Sequence, residues 1–261
     1  MHTLKVLTTL FKVNVEQELA YRADVVVNIL VNLMWLGWEL LSLYIIFSNT
    51  QTLGGWGLGE LIALLGVFRL INTLMAAIIW PNTEKFNSGM RDGTLDYTLL
   101  QPAPSLLLVS FSRITIWRLW DLVLAIVLLV VGLSMSEGSV TLSGLLTFSL
   151  LLAGGLLIFY SLWIVMMAFT FWFIKFDNNV TILQALLEAG RYPATIYPPW
   201  LRMIVTFVVP IALATTAPVQ ALRGELTWWQ VLLFVSVAGL ALMVALRMWR
   251  AGIRRYSGAS S

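Results

Sequence analysis

Glu39 and Arg69 are ionisable residues set inside long apolar runs, where a charge is costly and has to be accounted for. Asn28, Asn32, Trp35, Glu39 and Ser42 recur at spacings of four, three, four and three, which places them on one stripe of a helix. The following run answers with Gly66, Arg69, Thr73, Ala76 and Ala77, small residues around a single arginine. An arginine at the centre of a membrane helix costs roughly 2.5–3.5 kcal/mol, and each leucine or isoleucine returns only about 0.3–0.6 of that. Arg69 therefore needs a partner, and counting helical rise along the two runs sets Glu39 at a similar depth. One reading is an ion pair that fixes helix packing. The other is a polar stripe that contacts whatever passes through the membrane.

Other chemistry is sparse. Cysteine is absent, which removes disulfides, thiolate nucleophiles and Cys-ligated metals, and the single histidine is His2 at the chain terminus. Paired intramembrane aspartates are missing. Asp92-Gly93 has a superficial likeness to lipid-headgroup transferases, without the downstream aspartates and arginine of such a site. Asp121 follows Arg118 by three residues, so local pairing accounts for it. No G-x-x-x-x-G-K-[ST] phosphate loop is present, so this chain is expected to bind no nucleotide and no cofactor of its own.

The elements that must position these residues follow from hydropathy. A chain of 261 residues with 59% hydrophobic and 11% charged residues and a mean hydropathy of +0.87 reads as an all-α, polytopic membrane protein in a single domain. Apolar runs at about 25–47, 59–80, 114–134, 145–173, 202–219 and 229–249 predict six transmembrane helices. The fifth is short and holds Pro210, with Pro218 at its end, which marks it as a candidate broken helix. Residues 3–20 alternate apolar and polar positions at helical spacing and predict an interfacial amphipathic helix. Trp56, Trp80, Trp117, Trp200, Trp228 and Trp229 fall mostly at interfaces and read as an aromatic belt.

Lys and Arg concentrate on one side. With the N-terminus cytoplasmic, the inside set includes Arg22, Lys85, Arg91, Arg113, Arg191, Arg202 and Arg247, whereas Arg223 alone lies outside. Both termini are therefore expected in the cytoplasm, with the connections 81–113 and 174–201 beside them. The net charge of +3 is spread through these short segments, which points to membrane topology and away from a nucleic-acid surface.

The loop RDGTLDYTLLQPAP, Arg91 to Pro104, stands out on that cytoplasmic side. Thr94 is placed to cap a short helix from Leu95, and Pro102 limits it to about two turns. Leu95, Leu99 and Leu100 then form an apolar edge, with Asp92 and Asp96 polar. So short a helix is unstable alone in water. It either rests on lipid or on the protein's own helices, or it is a knob for a cytoplasmic partner.

The run Gly89, Gly93, Leu95, Leu99, Leu100, Pro102, together with RYPATIYPPWLR from Arg191 to Arg202 and the proline-containing stretch after it, resembles the type-two permease subunits of bacterial ATP-binding cassette exporters over essentially the whole chain. The resemblance implies that Arg91, Asp92, Gly93, Thr94, Leu95, Asp96, Tyr97, Leu99 and Leu100 form the coupling helix that docks into an ATPase subunit. Gln101 departs from the arginine many relatives carry there. It also implies partner ATPases that hold ATP and Mg, a second permease chain (identical or related) and a lipid surround in the bacterial inner membrane. On the functional reading of the polar stripe, Asn28, Asn32, Glu39, Arg69 and Thr73 would face the interface of that pair, where a translocation path would run. An ion-coupled secondary transporter, with Glu39 carrying a proton, and a non-transporting membrane scaffold are the alternatives.

Overall fold

The computed structural model describes residues 22–136, 141–173 and 179–256. The expected interfacial helix at 3–20 lies outside the described residues. The regular structure of those described is helical, with one isolated bridge, Leu53 to Trp56, in the connection between the first two long helices. Helices satisfy their own backbone groups, the requirement lipid imposes.

Five helices are long and apolar enough to cross a membrane. They are α1 (Arg22–Phe47), α2 (Leu58–Arg91), α5 (Ile116–Met135), α6 (Leu142–Thr170) and α10 (Trp228–Arg255). Between α2 and α5 lie two short helices, α3 (Leu95–Leu99) and α4 (Ser105–Phe111). Between α6 and α10 lie α7 (Asn179–Glu188), α8 (Pro199–Thr206) and α9 (Ile211–Leu222).

Small residues bring α2 and α5 together. A Cβ on Gly66 would sit 2.7 Å from the Leu129 amide, and one on Gly132 would sit 2.6 Å from the Gly59 carbonyl. Close backbone approach of this kind drives helix association in lipid, where apolar burial alone offers little. α6 forms the second centre of the core, packed on α9 and α10, with Phe159, Trp163, Ile164 and Met167 fully buried. α1 is different. Leu36, Leu43 and Phe47 touch the core, while its other large apolar side chains, Val26 to Ile45, are mostly exposed.

Contacts define the two ends of the bundle. At one end Phe171 lies 5.7 Å from Phe86 and 5.4 Å from Trp249, so α2, α6 and α10 meet there. At the other, Arg223 pairs with Glu60 at 2.8 Å and lies over the Trp56 ring. Trp56 is therefore buried, and does not belong to a lipid-facing belt.

These ends overturn the expected fifth span. Asn179 sits at the first end, exchanging side-chain amide bonds with Asn87 at 2.9 and 3.0 Å. Thr195 and Ile196 sit at the second, against Gly54. The chain thus passes through the bundle along α7 and residues 189–197, and 174–201 is not a connection confined to one end. α8 and α9 are bent by 82° to each other, and α9 ends at Arg223, back at the second end. The run at 202–219 therefore leaves from and returns to one end instead of crossing. Hydropathy misses the passage at 179–197 because it carries Gln184, Glu188 and Arg191, of which the last two line a cavity, where a charge can be held.

Candidate functional site

Arg69 on α2 donates to Glu39 Oε2 through Nε at 2.8 Å and through Nη2 at 2.5 Å. The other carboxylate oxygen, Glu39 Oε1, lies 2.9 Å from Arg191 Nη2, and Arg191 also lies 3.6 Å from Glu188. Both members of the first pair are about nine-tenths buried. Two guanidinium groups from different parts of the chain thus converge on one carboxylate of the loosely packed α1. In low dielectric such an ion cluster holds geometry well, and its charges compensate one another.

The cluster forms part of the wall of a cavity of about 400 Å³. Asn32 and Trp35 line it from α1, and Phe68, Asn72, Thr73 and Ala76 from α2. Arg118 and Asp121 close it from the start of α5. The stripes read from sequence therefore meet at this cavity, with four exceptions, one of which is Ala77, buried in the π turn of α2. Asn28 contributes its carbonyl to the Asn32 amide and does not line the cavity, Ser42 donates to the Trp38 carbonyl, and Gly66 faces α5. Arg118 stacks over the Trp117 ring at 4.8 Å. Asp121 is 6% exposed, and its Oδ1 is enclosed with no hydrogen-bond partner.

The second constellation is the loop beyond the first end of the bundle. α2 contains a π turn, Met75–Ile79, followed by Pro81. Pro81 has no N–H to give to Ala77, four residues back, and the Ala77 carbonyl accepts the Thr115 N–H at 2.8 Å. One turn on, the buried Asn82 amide donates to the carbonyls of Ile78, Ser110 and Arg113. Its Oδ1 accepts from Ser112 Oγ and the Arg113 N–H. Trp163 donates to Thr83 Oγ1 at 2.7 Å, and Tyr160 and Ser110 share a hydrogen bond at 2.8 Å. α4 and the start of α5 are thereby fixed to α2 and α6.

At the tip, Gly93 takes a left-handed φ of +72°, which lets the chain reverse from α2 into α3. Thr94 does not cap α3. Its backbone is helical instead of extended, and its side chain makes no bond to the first turn. The expected apolar edge also divides. Leu95 is 3% exposed and Leu99 packs on the core, as residues four apart on one helical face do. Leu100 follows Leu99 by about 100° of helical rotation and is 82% exposed, with Tyr97 at 74%. Arg91 and Asp92 are exposed, and Asp96 is half-buried. The Tyr256 phenol, just past α10, is pushed up to about 12, first by its burial and then by the Asp96 carboxylate.

Residues 33–260 match the family described as ABC-2 family transporter protein. This chain belongs to the ABC-2 transporter family. No curated protein and no solved structure matches it. It is a multi-pass membrane permease by family and by helix composition.

Sequence reasoning missed two parts of this permease. By sequence Arg191 falls with the loop charges. A signal for its true position was its place after the moderately apolar run 180–187, too polar for a lipid-facing span yet long enough to start a passage. Asn82 gives no signal of its own, because an asparagine after an apolar run reads as an ordinary helix end. Pro81 beside it marked a carbonyl that something else had to satisfy.

Proposed function

We propose that this chain is the transmembrane permease subunit of an ATP-driven exporter in a bacterial inner membrane. Two such permeases, identical or related, would pair in the membrane, with two ATP-binding cassette ATPases below. ATP and Mg belong to those partners. With Arg191 and Arg202 removed from the loop set, Lys and Arg still concentrate at the end that carries 85–118 and 247–255. That bias supports a cytoplasmic position for that end and for both termini.

The observation that carries the reading is the pair of uncovered apolar side chains, Tyr97 and Leu100, on a short helix whose base is fixed. An exposed aromatic beside an exposed leucine is the chemistry of an interface anchor. Leu95 and Leu99 join that anchor to the core. A push on α3 is then carried through the Gly93 turn and the Asn82 bonds to α2, which bears Arg69, and to α5, which bears Asp121. Closure of the ATPases on ATP would in this way reach the cavity walls and switch its access between the two sides.

The test is to purify the tagged chain in mild detergent, identify co-purifying proteins by mass spectrometry, and measure ATP hydrolysis with and without Tyr97→Ala plus Leu100→Asp. A stoichiometric cassette ATPase, lost or uncoupled in the double variant while the permease remains folded, is the expected result. Recovery of no ATPase under conditions that preserve such complexes would refute the reading.

A further inference from the structure

The cavity between α1, α2, α5 and α7 has an unusual charge balance for a space inside a membrane bundle. Arg69, Arg118 and Arg191 face Glu39, Asp121 and Glu188 around it, three cations and three carboxylates. On the α1 side the charges are already matched, since Glu39 holds both Arg69 and Arg191. On the α5 side the matching is incomplete. Asp121 is more than nine-tenths buried, and one of its oxygens accepts no hydrogen bond, a costly condition for a carboxylate. Arg118, one turn earlier, stacks on Trp117 and lines the same space. A carboxylate and a guanidinium side by side on one wall favour a molecule that carries both signs. A purely anionic or purely cationic group would gain from one of the two and be opposed by the other.

The remaining walls specify the rest of the molecule. Trp35 and Phe68 supply aromatic faces, and about 400 Å³ falls within the roughly 300–1,000 Å³ typical of small-molecule sites. The outermost wall is α1, which rests on few core side chains and is 56% exposed at Trp35 itself. One lightly packed helix with an exposed apolar face thus separates the cavity from the outside of the bundle. We infer that this cavity binds the zwitterionic head of a membrane amphiphile, with Arg118 and Asp121 meeting the anionic and cationic groups of the head and the apolar chains lying toward α1.

This inference rests on the exporter reading for its biological meaning, but its test needs no ATPase. The permease, purified in a maltoside detergent, is titrated calorimetrically with dihexanoyl phosphatidylcholine, dihexanoyl phosphatidylglycerol and free phosphocholine. Saturable binding of the phosphatidylcholine, at least tenfold tighter than of the phosphatidylglycerol, is expected. Asp121→Asn and Arg118→Gln should each weaken it about tenfold, and Arg118→Lys should retain most of it. Thermal melting of each variant, run alongside, separates lost binding from lost folding. Weaker binding of phosphocholine than of the short-chain lipid supports an amphiphile. Equal binding of the two overturns the membrane origin and leaves a soluble zwitterion. Non-saturable uptake, equal binding of the anionic lipid, or indifference to both substitutions would overturn the site altogether. Failure here leaves ATPase docking at α3 untouched, and failure of docking leaves this binding intact.

Discussion

Arg191 Nη2 lies 2.9 Å from Glu39 Oε1, and through that contact the passage at 179–197 grips the most loosely packed helix of the bundle. α1 buries few of its apolar residues, so its position depends on polar ties more than that of any other long helix does. The same carboxylate holds Arg69, which makes Glu39 the joint of three segments.

Removing that joint leaves two arginines beside a cavity with no anion between them. Breaking a buried ion pair from one side costs about 3–5 kcal/mol, whereas replacing both partners by apolar residues is often close to neutral. Glu39→Ala is therefore expected to lower the thermal midpoint in detergent by several degrees. The double variant Glu39→Met, Arg69→Met should lie nearer the wild type than either single variant. A double variant less stable than both singles would contradict this account.

The Asn82 side chain reaches five groups: its two amide N–H are shared among three carbonyls, and its oxygen accepts two hydrogen bonds. Each hydrogen bond is worth about 1 kcal/mol net, and orphaned carbonyls cost more. Asn82→Ala should destabilise by roughly 3 kcal/mol and loosen the link between α2 and the base of the loop. Hydrogen exchange should rise at 110–115 before it rises in α6. Unchanged exchange at those amides would show that the Thr115 to Ala77 bond suffices.

Tyr256 gives a pH test. A phenol held up to about 12 stays neutral over a range in which a free tyrosine, near 10, has ionised. Its raised value contributes stability that is fully present below about pH 10 and is lost as pH rises through about 12. Asp96→Asn removes the neighbouring charge and should bring the phenol down, while burial keeps it above 10. Ultraviolet titration against Tyr256→Phe identifies the signal, and a titration unmoved by Asp96→Asn would leave burial as the sole cause.

Much of this architecture was legible from residue spacing. The polar stripe on α1 and the small residues around Arg69 pointed to each other because helical period and depth are simple arithmetic. Legibility ended where a residue's role depends on chain direction. Arg191 and Arg202 read as loop charges because Tyr192-Pro193 and Tyr197-Pro198-Pro199 break hydropathy, and a broken passage lined by a cavity looks like a loop in one dimension. The loop helix failed differently. Leu95, Leu99 and Leu100 are equally apolar; helical period turns Leu100 about 100° away from the other two, but only the three-dimensional neighbours show which of the two directions meets the core.

That separation yields a direct contrast. Leu95→Asp would put a carboxylate among core side chains at a site 3% exposed, and it should destabilise the permease by several kcal/mol. Leu100→Asp alters a site 82% exposed and should stay within about 0.5 kcal/mol of the wild type. Size-exclusion profiles and melting curves of the two variants decide the matter. Similar losses in both would mean that Leu100 is covered by the protein itself.

The glycines of α2, α5 and α10 offer a contrast in which the same substitution changes sign. A Cβ at Gly132 would lie 2.6 Å from the Gly59 carbonyl, so Gly132→Ala must push α5 away from α2 along the whole contact. The separation would also shift Asp121 relative to Arg69, because both helices carry cavity walls. At Gly239 on α10 a Cβ would meet nothing within 4 Å. There the substitution only removes the conformational freedom of a helical glycine, worth roughly 0.5–1 kcal/mol. Gly239→Ala is expected to raise the thermal midpoint slightly and Gly132→Ala to lower it by several degrees. If both raised it, the α2–α5 approach would be looser than the backbone contacts at Gly59, Gly66 and Gly132 require.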